Sequence, residues 1–233
     1  PGRLALHVNM SNYGVVIPAF NAAATIVETL RSVLEQTVAA EDILVVDDGS
    51  TDDTAALVLA MGGRVRLLRQ DNAGPGKAST TGITALSTPL VATLDSDDLW
   101  LPHKIERQLV HLDRSPQSAG VFGHIRNFRD NRPDELTGAA VPGWSRSTMM
   151  FRREMLEAVG PILDPPGRRG EMIDWIARAR EAGFRLDMID EVLALRRIRP
   201  GSLSYGRDPA RDRGYLEVAR LALKRRAGKA GRD

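Results

Sequence analysis

Between residues 14 and 112 the chain alternates short β-branched apolar runs with longer stretches whose apolar residues recur at helical spacing. The runs are Gly14-Val15-Val16-Ile17-Pro18, Ile43-Leu44-Val45-Val46, Val65-Arg66-Leu67-Leu68 and Leu90-Val91-Ala92-Thr93-Leu94. Helical spacing fills 22–36 (Ile26, Leu30, Val33, Leu34), 53–61, 75–86 and 102–112. Runs that are apolar throughout, with no polar alternation, suit strands buried on both faces, and the β-α-β-α order predicts a mainly parallel sheet with helices on both faces. Each run stops at a polar cluster: 18–21, 47–50, 71–77 and 95–98. In such sheets ligands bind beyond the carboxyl ends of the strands, so these clusters are the candidate site.

The second half is less regular. Strands are expected at 120–128, 147–151 and 192–198, helices at 154–159, 171–182 and 208–226, and a loop over the Pro- and Gly-rich 165–170. Residues 1–12 read as a lead-in. No repeat or linker divides the chain, so one domain over 1–206 is expected, in two halves (about 13–113 and 114–206), with a basic helix and tail at 207–233. That tail has nine Lys or Arg against four Asp or Glu, and the remainder is net acidic. It reads as a solvated helix with a frayed end, or as a surface for an anionic membrane or nucleic acid. There is no cysteine, no apolar run near the roughly 20 residues of a membrane span, and no signal-like N-terminus. A cytoplasmic protein, or one at the cytoplasmic face of a membrane, is expected. Aromatic residues are too few for a nucleic-acid stacking platform, so no nucleic-acid partner is expected.

Four constellations could carry chemistry. Asp95-Ser96-Asp97-Asp98 places hard oxygen ligands at a strand end, suited to Mg²⁺ or Mn²⁺, or else caps the following helix. Asp48, before Gly49, could accept a hydrogen bond from a base N–H or belong to a simple turn. Asp71-Asn72-Ala73-Gly74-Pro75-Gly76-Lys77 could bring backbone N–H groups and a cation to a phosphate, or be a plain glycine turn. Glu171 and Asp174 stand three apart, so a helix puts both on one face, where either could take a proton or serve as helix N-terminal charge. Trp175 could stack on a sugar, but packing in the core suits it better. The four histidines lack metal-ligand spacing.

The order of Val15-Val16-Ile17-Pro18-Ala19-Phe20-Asn21, Val45-Val46-Asp47-Asp48-Gly49-Ser50-Thr51-Asp52, Asn72-Ala73-Gly74-Pro75 and Leu94-Asp95-Ser96-Asp97-Asp98 resembles the family 2 glycosyltransferases. The resemblance spans about 13–200 and is most specific over the first 100 residues. It implies a GT-A fold, a Rossmann-like nucleotide half fused to a smaller acceptor half. It also implies inverting transfer from a nucleoside-diphosphate sugar, here a UDP-sugar, with Mn²⁺ or Mg²⁺. By the same resemblance Pro18, Phe20 and Asn21 line the nucleotide pocket and Asp48 reads the base. Asp95 and Asp97 form the metal motif, with Asp97 the direct ligand and Ser96 between them. Glu171 is the glutamate of the acceptor-side Glu-Asp pair. Three positions depart from the family pattern. Ser79-Thr80 stand for Arg-Asn, with Lys77 a substitute charge. Met172 stands for the catalytic aspartate, leaving Glu171 or Asp174 as base. Arg199 stands for a histidine and could bind the diphosphate. The acceptor is open: saccharide, lipid-linked, small molecule or peptide. A nucleotidyltransferase is disfavoured because Pro18-Ala19-Phe20-Asn21 occupies the place of its glycine-rich loop; a catalytically impaired nucleotide-sugar-binding protein is the other alternative.

Overall fold

The computed structural model describes residues 12–130, 132–199 and 209–230. All but the last residue of the expected lead-in at 1–12, and the two ends of the tail, at 207–208 and 231–233, lie outside the described residues.

The first half forms as the alternation requires. Strands β1 (Tyr13–Ala19), β2 (Asp42–Asp47), β3 (Val65–Arg69) and β4 (Leu90–Thr93) are joined by helices α1 (Ile26–Leu34), α2 (Thr54–Met61) and α3 (Pro75–Ala85). All four strands are parallel, in the order β3-β2-β1-β4. A two-residue strand β5 (Leu99–Trp100) and helix α4 (Lys104–Arg114) lead to the second half. There β6 (Ser118–Arg129) pairs with β7 (Arg132–Pro142), and a 3₁₀ turn (Arg146–Thr148) precedes β8 (Met150–Arg152). Helices α5 (Glu154–Val159) and α6 (Glu171–Glu181), strand β9 (Arg185–Ile198) and helix α7 (Pro209–Ala230) complete the chain. One nine-stranded sheet results, continuing from β4 through β8 and β6 to β9 and β5, with β7 on β6. β8 is antiparallel to both β4 and β6, whereas β6 and β9 are parallel.

Two core clusters cover the two faces. Val15, Ile17, Ile43 and Val45 face Ile26 and Leu30 of α1, Val58 of α2 and Ile105 of α4. Val16, Leu44, Val46 and Val91 face Ala78 and Ile83 of α3, Met155 of α5, and Trp175 and Ile176 of α6. Successive strand residues thus serve opposite layers, which is why the β1 and β2 runs are apolar throughout, whereas the edge strand β3 carries the exposed Arg66. Trp175 is wholly buried, edge-on to Phe151, and its Nε1 donates to the Gly160 carbonyl at 3.0 Å.

The structure adds β5 and β7 and begins β9 at Arg185 instead of near 192. β7 (Arg-Pro-Asp-Glu-Leu-Thr-Gly-Ala-Ala-Val-Pro) is largely exposed and lacks period-two patterning, so only its pairing with β6 makes it a strand. The described part of the basic tail, 209–230, forms α7, which docks on α6: Arg225 meets Asp174 and Glu181 at 2.8 and 2.7 Å. No helix among the described residues is long and apolar enough to cross a membrane.

Helix α3 lies so close to the sheet that a Cβ on Gly82 would come within 2.5 Å of Val16 Cγ1 and 2.9 Å of Val46 Cγ2. Gly82→Ala should therefore destabilise the protein by about 1–3 kcal/mol in urea unfolding. An unchanged midpoint would show that α3 can lift off the sheet freely.

Candidate active site

The carboxyl ends of β1, β2 and β4, the 3₁₀ turn, the start of α6 and the end of β9 surround a cavity of about 1160 Å³. That volume exceeds the usual range of a single small-ligand site. Pro18, Phe20, Asn21, Asp48, Asp95, Ser96, Asp97, Glu171 and Arg199 all line it. Lys77 and Asp174 do not.

At the β1–β2 end of the cavity, Asn21 sits in the left-handed region (φ 49°), which asparagine tolerates, and its amide and side chain tie the β1 loop to the loop after β2. Its N–H donates to Ser50 Oγ at 2.9 Å, and its Oδ1 accepts from Thr51 N–H at 2.9 Å. Phe20 is left half exposed at the rim. Asp48 is buried, and its carboxylate accepts from Gln70 Nε2 (2.6 Å), Ala73 N–H (2.9 Å) and Gly74 N–H (2.8 Å).

The glycine loop corrects one sequence reading. Its backbone donors do not stand open for a phosphate. Ala73 and Gly74 donate to Asp48, and the first turn of α3 is capped by Asp164, which accepts from Gly76 N–H (2.9 Å) and Lys77 N–H (2.8 Å). A Cβ at Gly74 or Gly76 would meet the Asp164 carboxylate within 2.9 Å, so an internal anion accounts for these glycines. The Lys77 side chain is exposed outside the cavity lining. Ser79 is buried, its hydroxyl donating to the Pro75 carbonyl at 2.7 Å.

The acidic cluster divides by role. Asp98 is buried: its Oδ2 accepts from Ser147 Oγ at 2.5 Å and its Oδ1 from the Arg197 N–H at 3.0 Å. Burial, then the charges of Asp97 and Asp95, push its carboxyl well above the usual carboxylate range. Asp97 is also raised, by burial first and Asp95 second, against the opposing charge of Arg199. The Ser96 carbonyl accepts from Thr25 Oγ1 (2.8 Å) and Thr29 Oγ1 (3.1 Å), which fixes the loop to α1. Among the described residues no group of three His, Asp or Glu side chains is arranged to hold a metal. Asp97 and Asp95 do offer hard oxygens, and Mg²⁺ commonly takes one or two carboxylates together with substrate phosphates. The charge of Asp95 adds to the burial that raises Asp97, and a cation between them would relieve that repulsion, so the pair fits a metal completed by the substrate.

Arg146, which no sequence pattern marks, joins the two halves of the site. Buried on the 3₁₀ turn, it holds Asp95 Oδ1 with Nε at 2.6 Å and Glu171 Oε1 with Nη1 at 2.8 Å. Burial alone would lower its pKa; the two carboxylates more than offset this and hold it above the ordinary value.

Asp174 requires a second correction. Its oxygens are taken by Arg178 (2.8 Å) and by Arg225 of α7 (2.8 Å), and it lies outside the cavity lining. Residues three apart on a helix differ by about 60° in direction, which suffices here to send Glu171 to the cavity and Asp174 to the α7 interface. Met172 lines the cavity and packs in the core.

A family model described as Glycosyl transferase family 2 matches residues 14–167. The chain belongs to the family 2 glycosyltransferases. It is 32% identical over 213 residues to the succinoglycan biosynthesis protein ExoO of Rhizobium meliloti (strain 1021), covering 81% of this chain and 61% of that one. It is 31% identical to ExoU of the same organism, covering 82% and 63%. The chain thus spans less than two thirds of these relatives. A crystal structure of S. aureus TarS 1–349 in complex with UDP-GlcNAc superposes with a TM-score of 0.71 at 21% identity, over 91% of this chain and 65% of that one. The fold is therefore the expected mixed α/β, GT-A-like one.

Arg146→Met would leave Asp95 and Glu171 without their shared counter-charge. It should cost about 3 kcal/mol in urea unfolding, with Arg146→Lys losing less. A variant as stable as the wild type would show that the two carboxylates do not depend on the bridge.

Proposed function

We propose that this glycosyltransferase moves a sugar from a UDP-sugar to an acceptor hydroxyl with inversion at the anomeric carbon. The observation that carries the reading is the placement, around one cavity, of Asp48 and the Asp95–Asp97 loop on one side and Glu171 on the other, with Arg146 between them. The donor class is supported by relatives. A match of 39% identity over 97 residues (41% of this chain, 38% of the other) is the Escherichia coli UDP-Glc:alpha-D-GlcNAc-diphosphoundecaprenol beta-1,3-glucosyltransferase WfgD, and TarS was crystallised with UDP and with UDP-GlcNAc.

In this reading Pro18, Phe20 and Asn21 border the base and ribose, and Asp48 positions the Asn72–Gly74 loop while its carboxylate faces the base. A Mn²⁺ or Mg²⁺ ion, when bound, would be held by Asp97 with Asp95 beside it and would supply positive charge to the diphosphate. Arg199 adds a cation that needs no metal. Glu171, turned to the cavity and steadied at Oε1 by Arg146, takes the proton of the acceptor hydroxyl as that oxygen attacks the anomeric carbon. The bond from that carbon to the diphosphate breaks on the opposite face, and the nucleoside diphosphate leaves. Along α7, Leu216 and Leu223 face outward with basic residues around them, which supports peripheral contact with an anionic membrane surface near the site.

Glu171→Gln should lower kcat about 10²- to 10⁴-fold while UDP still raises the melting temperature. Asp174→Asn should melt earlier yet keep kcat within a few-fold. Sugar transfer assayed from UDP-sugars to saccharide and lipid-linked acceptors tests both. Full turnover by Glu171→Gln would remove Glu171 as base, and UDP binding without turnover of any donor by the wild type would favour a binding protein.

A further inference from the structure

Two residues that line the cavity beyond the family-matching segment 14–167 take no part in the donor reading above: Arg168 and Tyr215. Arg168 is exposed on the cavity wall, and its guanidinium meets no acid or other hydrogen-bond acceptor among the described residues. The cations on either side of it are taken, Arg146 by Asp95 and Glu171, and Arg169 by Asp212 of α7. The Arg168 backbone is left-handed (φ 57°), a region in which a residue with a Cβ is uncommon. Three contacts keep it there. Its N–H donates to the Pro165 carbonyl at 2.8 Å, and the buried Arg169 is anchored on α7. Helix α7 also passes so close that a Cβ at Gly214 would come within 2.1 Å of the Arg169 carbonyl oxygen and 3.0 Å of that of Pro166. Glycine would take this backbone at less cost, so an arginine here points to a use for its side chain.

Tyr215 of α7 is half exposed and borders the same loop. One edge of its ring rests on Gly170, where a Cβ would stand 3.2 Å from Cδ1 and 3.6 Å from Cε1, so the bare glycine seats the ring beside the start of α6. Glu171 follows Gly170 directly, and three residues of chain hold the Arg168 Cα within about 11 Å of the Glu171 Cα. An acceptor hydroxyl at Glu171 therefore brings its sugar, or the next one, alongside both side chains. The negative face of an aromatic ring suits the C–H face of a sugar, and a guanidinium without an acid suits a carboxylate or phosphate. We propose that Arg168 and Tyr215 form an acceptor subsite for an anionic saccharide. Arg168 takes a carboxylate or phosphate on the acceptor, Tyr215 carries the face of its sugar ring, and together they select the hydroxyl presented to Glu171. The inference rests on the glycosyltransferase reading above, with Glu171 as base.

Saturation-transfer NMR titrations of the whole chain, with the donor site filled by UDP and Mn²⁺, test it on three probes: methyl glucoside, methyl glucuronide and glucose 1-phosphate. At least one anionic probe should bind about tenfold more tightly than the neutral glycoside, and which one does so names the anion. Arg168→Gly, which suits the left-handed backbone, should melt no lower than the wild type and yet erase that preference, an outcome that a purely structural role for Arg168 does not produce. Tyr215→Leu, judged folded by its UDP affinity, should weaken all three probes severalfold. Equal binding of neutral and anionic probes, or a preference that survives Arg168→Gly, overturns the subsite. So does a protein that binds UDP and none of the saccharides, which leaves the donor reading standing; failure to bind UDP as well overturns both.

Discussion

The site depends on one buried carboxylate whose two oxygens are both held by the protein itself. Asp98 ties three segments remote in sequence: the loop after β4, the 3₁₀ turn through Ser147 and the end of β9 through the Arg197 amide. Arg197 reinforces the junction from below by holding the Asp97 carbonyl, Glu28 of α1 and Asp130. Every candidate group in the middle of the cavity hangs from this knot. Asp95 and Asp97 precede it, Arg146 and Ser147 sit on its second arm, and Arg199 follows its third. Burial, then the charges of Asp97 and Asp95, raise the Asp98 carboxyl, and both of its oxygens are already engaged by the protein.

Arg146 performs the corresponding task between the two halves. It shares its charge between Asp95, which follows the parallel strands, and Glu171, which begins α6. Two carboxylates on one guanidinium leave a net negative unit that can face a cation or a developing proton. A single side chain thereby links the loop after β4 to the start of α6 across the cavity. Charge is balanced elsewhere in the same manner: Asp164 caps α3, and Asp174 with Glu181 receives α7. Acids and cations that look interchangeable in the sequence are thus sorted by partner into structural and cavity-facing sets.

Much of the fold was legible. The four β-branched runs became β1 to β4 in parallel, because strands covered on both faces need side chains that are apolar in both directions. The family followed from the order of motifs at their ends. β7 was not legible, since its strand state comes from its partner β6 and not from its own pattern, and β5 is only two residues long. Arg146 and Asp164 were invisible for a related reason: each acts through a contact with groups 25 to 88 residues away. Sequence spacing also misjudged Asp174 and the glycine loop, because it counts which groups exist without knowing which partners reach them first.

By itself the sequence determined the layered α/β architecture, the family, and the strand-end clusters in which a site had to lie. These follow from local periodicity and from the rule that parallel strands expose their carboxyl ends to ligand. Only the tertiary structure decided which acid faces the cavity, which arginines remain without acceptors, and which backbone donors are already capped. Those outcomes depend on distances between residues far apart in the chain, where a hydrogen bond made or missed by about one ångström changes a group's role.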